Sequence, residues 1–434
     1  MSASLPLALP SAPPLQDTPF GSDKLERAPL AKVLSGYIKR LKFGAVIAVD
    51  AEWGQGKTWF ARNWEKLLEN EGHAVIYIDA FESDYVGDPF SLIAGEIFGL
   101  IQSRAEKKKF LESATSVALA IAPTVLKAAI RGGGKALLGV ADLDEKLKEG
   151  AEKIVENAED PLGKFLEERI KGYQDGKKSV AAFRKNLSKF AAEKDKPFVV
   201  IIDELDRCRP EFAVSLLERI KHFFDVENVV FVLFMNKEQM HSAIKGVYGQ
   251  ATDAHTYLEK FLNFTFTLEQ PRFGKIQTFV DAELAKYEMV VNTQMEEFVS
   301  GLCVLTDVFN FTPRQVERAI SLLALAYPIK TAGILLSELV VLKIARPDLL
   351  KGFLLDDPDL HKQLLKMLGD QKGRYVERRR NTFELDFLIQ VHTALLESDD
   401  GVATKELLDN WSLRKEKIRR DYADLVKLFN MAVR

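Results

Sequence analysis

Cysteine is nearly absent from this sequence. Only Cys208 and Cys303 occur among the 434 residues. Two cysteines cannot build a disulfide framework, and by themselves they cannot complete a zinc site. They suit a reducing compartment, and we interpret Cys208 as a passive buried thiol. The cysteine content therefore predicts a cytoplasmic protein.

An excess of charge of one sign is also lacking. The formal net charge is −3, with 47% hydrophobic and 28% charged residues, which is typical of a globular protein. No overall field favours nucleic acid or an acidic membrane surface. The one dense basic run, residues 372–380, is compatible with phosphate binding or with a solvated surface. Nucleic acid is therefore a weakly supported partner.

Long hydrophobic runs are missing as well. An uncharged run over residues 113–126 is fourteen residues long and contains Pro123. A membrane-spanning helix needs about 20 apolar residues. We interpret residues 113–141 as a helical hairpin that is buried or binds a partner, and a peripheral membrane contact through this segment is the alternative. Residues 1–22, which contain several prolines and small residues, are expected to form a flexible leader.

A glycine-containing loop is the most informative segment that is present. The apolar run 45–49 predicts a buried strand, and an amphipathic helix follows Thr58. A loop between a strand and a helix that ends in Gly-Lys-Thr is typical of a phosphate-binding loop. Lys57 would reach the outer phosphates, and the hydroxyl of Thr58 would bind Mg²⁺. The residues predicted to bind the nucleotide are Trp53, Gly54, Gln55, Gly56, Lys57, Thr58 and Trp59.

A second motif follows another buried run. Residues 198–202 are all apolar and lead directly into Asp203 and Glu204. A carboxylate at the end of a hydrophobic strand is where a P-loop enzyme holds Mg²⁺. Asp203 is therefore the second predicted Mg²⁺ ligand, and Glu204 is the predicted general base that activates water. Together the two motifs predict a Mg²⁺-dependent nucleoside triphosphatase.

The order of predicted elements indicates the fold class. Strands alternate with helices up to residue 270, which predicts an α/β fold with a parallel sheet covered by helices. A helical insertion, 104–175, interrupts this core of residues 23–270. Strand signals vanish afterwards, so residues 271–434 are expected to form an α-helical C-terminal domain. The predicted strands are 44–49, 75–78, 198–202, 229–234 and 264–268. The predicted C-terminal helices are 275–287, 294–304, 313–326, 331–345, 358–368, 382–396, 403–409 and 414–432.

Over residues 23–325 the chain resembles the KAP family of P-loop NTPases. The resemblance rests on Glu52 to Thr58, Tyr77 to Phe81, Ile201 to Cys208, Tyr257 to Phe261 and Thr312 to Gln315. It implies ATP as the nucleotide, Glu204 as the water-activating acid, and an association with phage exclusion, antiviral defence or membrane-associated signalling. The usual phosphate-loop pattern begins with glycine, whereas this sequence has Ala51.

Four further residues are candidates for catalytic or structural roles. Asn236, after the fourth predicted strand, could contact the attacking water or the γ-phosphate, or it could cap a helix. Arg314 could report the γ-phosphate to the helical domain, or it could simply begin a helix. Arg207 and Arg209 are interpreted as structural, with Asp206 as a candidate ion-pair partner, and contact with the nucleotide of a neighbouring subunit is the alternative.

Three functions are compatible with these patterns. The first is an ATPase switch that signals to a protein partner or within a homo-oligomer. The second is a nucleic-acid-dependent motor or remodeller. The third is an adaptor that binds nucleotide without turnover, which Ala51 favours and the intact Lys57, Asp203 and Glu204 oppose.

Overall fold

The computed structural model describes residues 17–121, 161–269, 273–287, 292–326, 333–350, 357–377, 381–397, 401–411 and 413–431. By its internal contacts the chain divides into two compact units. The sheet unit comprises the described residues of Ala31–Ala51 and Ala61–Thr267, and the helical unit comprises those of Met1–Leu30, Glu52–Phe60 and Leu268–Arg434. The predicted domain boundary near residue 271 stays a prediction.

The sheet unit is built on five parallel strands in the order β2-β3-β4-β1-β5. The prediction of a parallel sheet covered by helices is confirmed, and each strand begins and ends within about one residue of its predicted limits. Parallel strands place all their carboxyl ends at one edge of the sheet. The strands are β1 (Ala45–Asp50), β2 (Val75–Asp79), β3 (Phe198–Asp203), β4 (Val229–Met235) and β5 (Phe264–Thr267).

The burial of the strands explains their composition. Every residue of β3 and β4 is buried, because a sheet covered on both faces offers no polar side. The edge strand β5 is different, since Phe264 is 45% exposed and its ring packs edge-on against Tyr37. The continuous apolar runs in the sequence therefore mark the central strands.

Helices surround these strands in the sheet unit. They are α1 (Ala28–Ile38), α2 (Lys57–Asn70), α3 (Ala80–Ser83), α4 (Pro89–Leu100), α5 (Arg104–Ile121), α6 (Pro161–Ala192), α7 (Pro210–Arg219, continued by a π-helical turn to Phe224), α8 (Lys237–Tyr248) and α9 (Ala254–Glu259). The first residues of α1 and α2 belong to the helical unit.

The predicted insertion contains the whole of α5 and the first half of α6. The sequence predicts a charged helix within residues 142–174 and a separate helix over 179–193. The described part of the first, from Pro161, continues into the second as one helix that ends at Ala192. The two helices pack together, and Asn186 Nδ2 donates a hydrogen bond to Ser113 Oγ over 3.1 Å. Most of the hairpin predicted over 113–141 lies outside the described residues. Among the described residues, no helix combines the length and apolar content needed to cross a membrane.

The rest of the helical unit confirms the predicted C-terminal helical region. Its helices share one apolar core. Most of them begin within two residues of their predicted starts. They are α10 (Phe273–Leu284, with a 3₁₀ turn to Tyr287), α11 (Thr293–Val308), α12 (Pro313–Ala326), α13 (Gly333–Ala345), α14 (Pro358–Glu377), α15 (Phe383–Leu396), α16 (Val402–Trp411) and α17 (Lys415–Met431).

Candidate nucleotide site

The loop between β1 and α2 has the backbone of an anion cradle. Gly54 and Gly56 adopt φ values of +85° and +84°, which side chains other than glycine rarely tolerate. A Cβ atom on Gly56 would meet nothing within 4 Å among the described atoms. The helix α2 then begins at Lys57, so its first amide groups point back toward the loop. These amides and the helix dipole make the loop suitable for binding a phosphate.

The side chains of the loop are held close to its backbone. Gln55 N donates to the carbonyl of Glu52 over 3.3 Å, and the Lys57 ammonium lies 3.4 Å from the same carbonyl. Lys57 is only 7% exposed, whereas Trp53 is 48% exposed. A buried lysine on a loop of this shape can neutralise an anion at little cost in side-chain entropy.

Ala51 is accommodated by the sheet. It is buried, and its N–H donates to the carbonyl of Met235 over 3.1 Å, so residue 51 extends the hydrogen-bond ladder of β1 and β4. Among the described residues, Ala51 is not one of those with positive φ. The departure from the family pattern at this position therefore needs no glycine conformation.

The phosphate loop also contacts α12 inside the helical unit. Arg314 N donates to the carbonyl of Gly54 over 3.2 Å. A Cβ atom on Gly54 would lie 2.8 Å from Thr312 Oγ1 and 3.0 Å from Arg314 Cβ. Gly54 is thus required twice, for its backbone angle and for this close approach. The structure brings the predicted residues Gly54 and Arg314 together.

The start of α12 is itself fixed by a capping box. Gln315 Oε1 accepts hydrogen bonds from Thr312 N at 2.8 Å and from Thr312 Oγ1 at 3.1 Å. Gln315 N lies 3.4 Å from Thr312 Oγ1 and completes the reciprocal arrangement. Because this cap is rigid, the exposed side chain of Arg314 leaves the helix from a defined position.

In the sheet unit, Asp203 ends β3 and is completely buried. Its Oδ2 accepts a hydrogen bond from Tyr77 Oη over 2.8 Å, and its Oδ1 accepts one from Glu204 N over 2.8 Å. Burial and the charge of Asp203 raise the pKa of Tyr77 well above its usual value. Asp203 is therefore a fixed carboxylate whose direction is set by neighbouring donors.

Tyr77 connects this carboxylate to α2. The guanidinium of Arg62 lies over the Tyr77 ring, 3.3 Å from its centroid. Arg62 is one helical turn beyond Thr58. Neither Tyr77 nor Arg62 was among the predicted site residues. The available signal was a hydroxyl inside the otherwise aliphatic strand β2.

Glu204 is held in an unusual backbone conformation. Its φ of 59° and ψ of 24° are left-handed, which costs a residue with a Cβ about 1 kcal/mol or more. Arg207 Nε pairs with Glu204 Oε2 over 2.5 Å. The predicted partner of Arg207, Asp206, is therefore wrong, because the 3₁₀ turn Leu205–Arg207 folds the arginine back onto Glu204. Arg209 pairs instead with Asp84.

The carboxyl edge of the sheet carries a negative field. Burial, together with the charges of the surrounding acids, raises the pKa of Cys208 to about 12. Cys208 is therefore a neutral thiol at physiological pH, as predicted for a passive residue. The contributing acids are Asp84, Asp79, Asp206 and Glu204.

Asn236 lies just past β4, where it caps α8. Its Oδ1 accepts from Glu238 N at 3.0 Å and from Gln239 N at 3.3 Å. Lys237 N donates to Asp50 Oδ1 over 2.9 Å, which ties the same turn to the end of β1. The capping alternative for Asn236 is thus observed, and its contact with water or phosphate stays a prediction.

The donor set fits Mg²⁺ held together with a nucleotide. The described residues contain no cluster of three or more histidine, cysteine or acidic side chains that could hold a metal. Mg²⁺ needs no such cluster, since it keeps several waters and binds one or two side chains together with phosphate oxygens. The hydroxyl of Thr58 and the fixed carboxylate of Asp203 are donors of this kind.

The sequence is similar to that of known proteins. A sequence model described as the KAP family P-loop domain matches residues 27–329, more than half of the chain. The phage T7 exclusion protein of Escherichia coli (strain K12) is 24% identical over 224 residues. That alignment covers 45% of this chain and 30% of the relative, so the chain matches less than a third of that protein's length.

Solved structures resemble the chain more remotely. The ORC2 protein of Aeropyrum pernix, in its ADPNP-ADP complexes, is 13% identical, with 94% of this chain and 95% of that chain covered and a TM-score of 0.35. Cdc6p from Pyrobaculum aerophilum is 10% identical, with 96% and 97% covered and a TM-score of 0.38. Neither value supports a statement about what this chain does.

Proposed function

The chain belongs to the KAP family of P-loop NTPases, and from this premise we propose that it is a Mg²⁺-dependent ATPase that works as a molecular switch. The observation that carries the proposal is the hydrogen bond from Arg314 N to the carbonyl of Gly54. It joins the phosphate loop directly to the first turn of α12. A change in the loop on binding or losing phosphate would therefore move a helix of the C-terminal region.

The proposed roles follow from the position of each residue. The loop amides and Lys57 bind the outer phosphates, and the exposed side chain of Arg314 senses the γ-phosphate. Thr58 and Asp203 are the residues that would hold Mg²⁺, which neutralises charge on the phosphate oxygens when it is bound. Glu204 accepts a proton from the attacking water, and Asn236 orients that water.

The ion pair between Glu204 and Arg207 favours a second candidate function. A carboxylate that pairs with a guanidinium is a weaker base for water than a free one. Until Arg207 moves away, Glu204 is held from catalysis, and the chain binds ATP without turnover. In this form it is a nucleotide-gated adaptor whose activation requires a partner that releases Arg207.

A role in phage defence is proposed on the strength of the relative. The aligned protein is named for the exclusion of phage T7, and it is 24% identical to this chain over 224 residues. A switch that moves a helical domain suits a sensor that reports infection to a separate protein. Plaque counts on cells with the wild-type chain or Lys57→Ala test this role, and equal counts would remove it.

The proposed activity is tested by phosphate release from ATP with and without EDTA. Wild type is compared with Glu204→Gln, Arg207→Ala and the matched control Arg209→Ala, whose arginine pairs with Asp84 instead. We expect Glu204→Gln to lose about 10²- to 10⁴-fold in rate while it retains ATP binding. Arg209→Ala is expected to leave the rate unchanged.

The four proteins separate the two candidates. Turnover in wild type that disappears in Glu204→Gln supports the switch. Turnover that appears only in Arg207→Ala supports the gated adaptor, since only that variant frees Glu204. Absence of ATP binding in the wild type would overturn both functions.

A further inference from the structure

Buried polar atoms without a hydrogen-bond partner among the described residues occur in the phosphate loop, at Gln55, and in residues 17–30, whose Phe20 packs on the first turn of α2. Asp23, Arg27 and Gln55 contribute five of the ten such side-chain atoms found in the described part of the chain. All three residues belong to the helical unit. Each unsatisfied buried group costs about 1–3 kcal/mol, so a cluster of them needs an explanation.

Residues 17–30 bring two of these side chains together. Asp23 N donates to the carbonyl of Phe20 over 3.1 Å, and Asp23 Oδ2 accepts from Ala28 N over 2.7 Å. These bonds fold the segment into a compact turn that ends where α1 begins. Glu26 and Phe20 both have positive φ, at 53° and 59°, so the turn also stores backbone strain.

The turn lies against the first turn of α2. The Phe20 ring contacts Trp59 at a centroid distance of 5.5 Å and Phe60 at 5.7 Å, both edge to face. Trp59 directly follows Thr58, the predicted Mg²⁺ ligand. A molecule whose phosphates occupy the loop therefore has its remaining part within reach of residues 17–30.

Arg27 is the most informative member of the cluster. It is 6% exposed, and among the described residues no acceptor lies within hydrogen-bonding distance of its Nη1 or Nη2. Burial lowers the pKa of Arg27 to about 10, although the charge of Asp23 acts in the opposite direction. The guanidinium is therefore still charged at neutral pH and presents two unused donors.

Asp23 supplies the complementary group. Its Oδ2 is used by Ala28 N, whereas its Oδ1 is buried and unsatisfied in the described part of the structure. A pair of unused donors beside an unused acceptor matches a flat ring that carries acceptors next to an amino group. Adenine presents this pattern, with its N7 acceptor and its N6 amino donor.

We propose that residues 17–30 form the base-recognition site of the nucleotide, where Arg27 donates to ring nitrogen atoms of adenine and Asp23 Oδ1 accepts from its amino group. This inference rests on the proposed nucleotide-binding function. It assigns a site to the base, the part of the nucleotide that the phosphate loop does not contact. Phe20 holds the turn against α2, so base recognition and phosphate binding share one rigid contact.

The test compares ligands with and without a base. Calorimetry measures the binding of ATP, inosine triphosphate and inorganic tripolyphosphate to the full chain. The variants are Arg27→Met and the matched control Lys24→Met, which removes an exposed cation from the same segment. Thermal melts without ligand show whether each variant folds. If Arg27→Met does not fold, Arg27→Lys takes its place, because it keeps the positive charge but lacks the planar set of N–H donors.

The site predicts a selective loss. Arg27→Met is expected to weaken ATP binding about tenfold or more and to leave tripolyphosphate binding unchanged. Inosine triphosphate, with a carbonyl in place of the amino group, is expected to bind the wild type about tenfold more weakly than ATP. Lys24→Met is expected to match the wild type with all three ligands.

Three results would overturn the assignment. Equal losses for ATP and tripolyphosphate would place Arg27 on the phosphates. Unchanged ATP binding in Arg27→Met would mean that water satisfies the guanidinium. If the wild type binds neither ATP nor tripolyphosphate, the proposed nucleotide-binding function fails first and the base site fails with it.

Discussion

Two sets of buried polar side chains lie in the same helical unit and differ in how they are satisfied. The first set joins four helices of the C-terminal region, and the second lies beside the phosphate loop. The members of the first set are at most 2% exposed, whereas in the second set Gln55 is 1% exposed, Arg27 is 6% exposed and Asp23 is half-buried. The first set is Glu338, His361, His392 and Tyr422, and the second is Asp23, Arg27 and Gln55.

In the first set the side chains satisfy one another. Tyr422 Oη donates to Glu338 Oε2 over 2.6 Å, and His392 Nε2 lies 2.7 Å from Glu338 Oε1. His361 Nδ1 lies 2.9 Å from His392 Nδ1, so one ring donates to the other. Burial raises the pKa of Tyr422 well above its usual value, and the neighbouring Glu338 adds to the shift. This chain of hydrogen bonds specifies how α13, α14, α15 and α17 pack.

In the second set, Asp23 Oδ1, both terminal nitrogens of Arg27 and both polar side-chain atoms of Gln55 have no hydrogen-bond partner among the described residues. Its unused donors and acceptors stand beside a loop whose backbone fits phosphate, which is why we assign them to a ligand. The comparison teaches that burial alone does not tell whether a polar side chain serves the fold or a ligand. Its hydrogen-bond partners do.

The largest expected effect comes from breaking the first set. Glu338→Ala leaves His392 and Tyr422 buried without their acceptor, and we expect the free energy of unfolding to fall by about 3–5 kcal/mol. Urea denaturation followed by circular dichroism measures the loss. The exposed Glu377 on α14 is the control, where Glu377→Ala should change the value by less than about 0.5 kcal/mol. An equal loss of unfolding free energy in Glu338→Ala and Glu377→Ala would show that the hydrogen bonds of the first set do not stabilise the fold.

The next largest effect concerns Gly54 in the phosphate loop. Gly54→Ala forces a Cβ onto a φ of +85° and within 2.8 Å of Thr312 Oγ1, which should cost about 1–3 kcal/mol. Gly36→Ala is the matched control, because a Cβ there meets nothing within 4 Å among the described atoms and lies on a helix. That change should stabilise by about 0.5–1 kcal/mol. Equal effects at both glycines would contradict the close contact between the loop and α12.

A smaller effect is expected at the sheet unit's own buried carboxylate. Tyr77→Phe removes one hydrogen bond to Asp203 and keeps the ring under Arg62, so the free energy of unfolding should fall by about 1 kcal/mol. Phosphate release should fall about 10- to 100-fold, as is typical when a group that orients a metal ligand is lost. Tyr37→Phe, whose ring packs on Phe264, serves as the control. If the two variants release phosphate at equal rates, Tyr77 does not position Asp203.

The smallest expected effect on the ligand-free protein comes from breaking the second set. Arg27→Met removes a buried, unsatisfied cation, so the free energy of unfolding should stay within about 1 kcal/mol of the wild type or rise. The pKa of Arg27 in the folded state, about 10, lies below the ordinary pKa of an arginine, so the folded state binds fewer protons than the unfolded state in the pH window between the two values. The contribution of Arg27 to the free energy of unfolding therefore increases with pH only in that window.

Between pH 6 and 9 the difference between Arg27→Met and wild type should be constant. Urea titrations at several pH values check this expectation. A loss in Arg27→Met as large as that in Glu338→Ala would erase the distinction between the two sets, because Arg27 would then serve the fold.

Much of the fold could be predicted from the sequence. The apolar runs of the strands and the spacing of helical residues are local signals, and they placed β1 to β5 and the C-terminal helices to within a few residues. The Gly-Lys-Thr loop and Asp203 after β3 gave the family. The length of α6 was missed, because charged segments before residue 179 were interpreted as a separate helix.

The partners of the site residues were harder to predict. The interpretation of Arg207 named Asp206, which is adjacent in sequence, whereas the turn after β3 delivers the arginine to Glu204. Glu338 stands alone in the apolar run of α13, yet nothing in that run names His392 or Tyr422, which lie 54 and 84 residues away. Sequence patterns report which face of an element is buried and not what it meets there.

The sequence by itself determined the chemistry that is available: a phosphate loop with Gly54, Gly56 and Lys57, a strand that ends in Asp203 and Glu204, and a helical C-terminal region. These features depend on short stretches of chain, where backbone geometry and hydrophobic periodicity act locally. The tertiary structure was needed to establish that Tyr77 donates to Asp203 across 126 residues, that α12 contacts Gly54, and that the terminal nitrogens of Arg27 are buried without a hydrogen-bond partner among the described residues. Such pairings depend on how distant elements pack, and that information is spread over the whole chain.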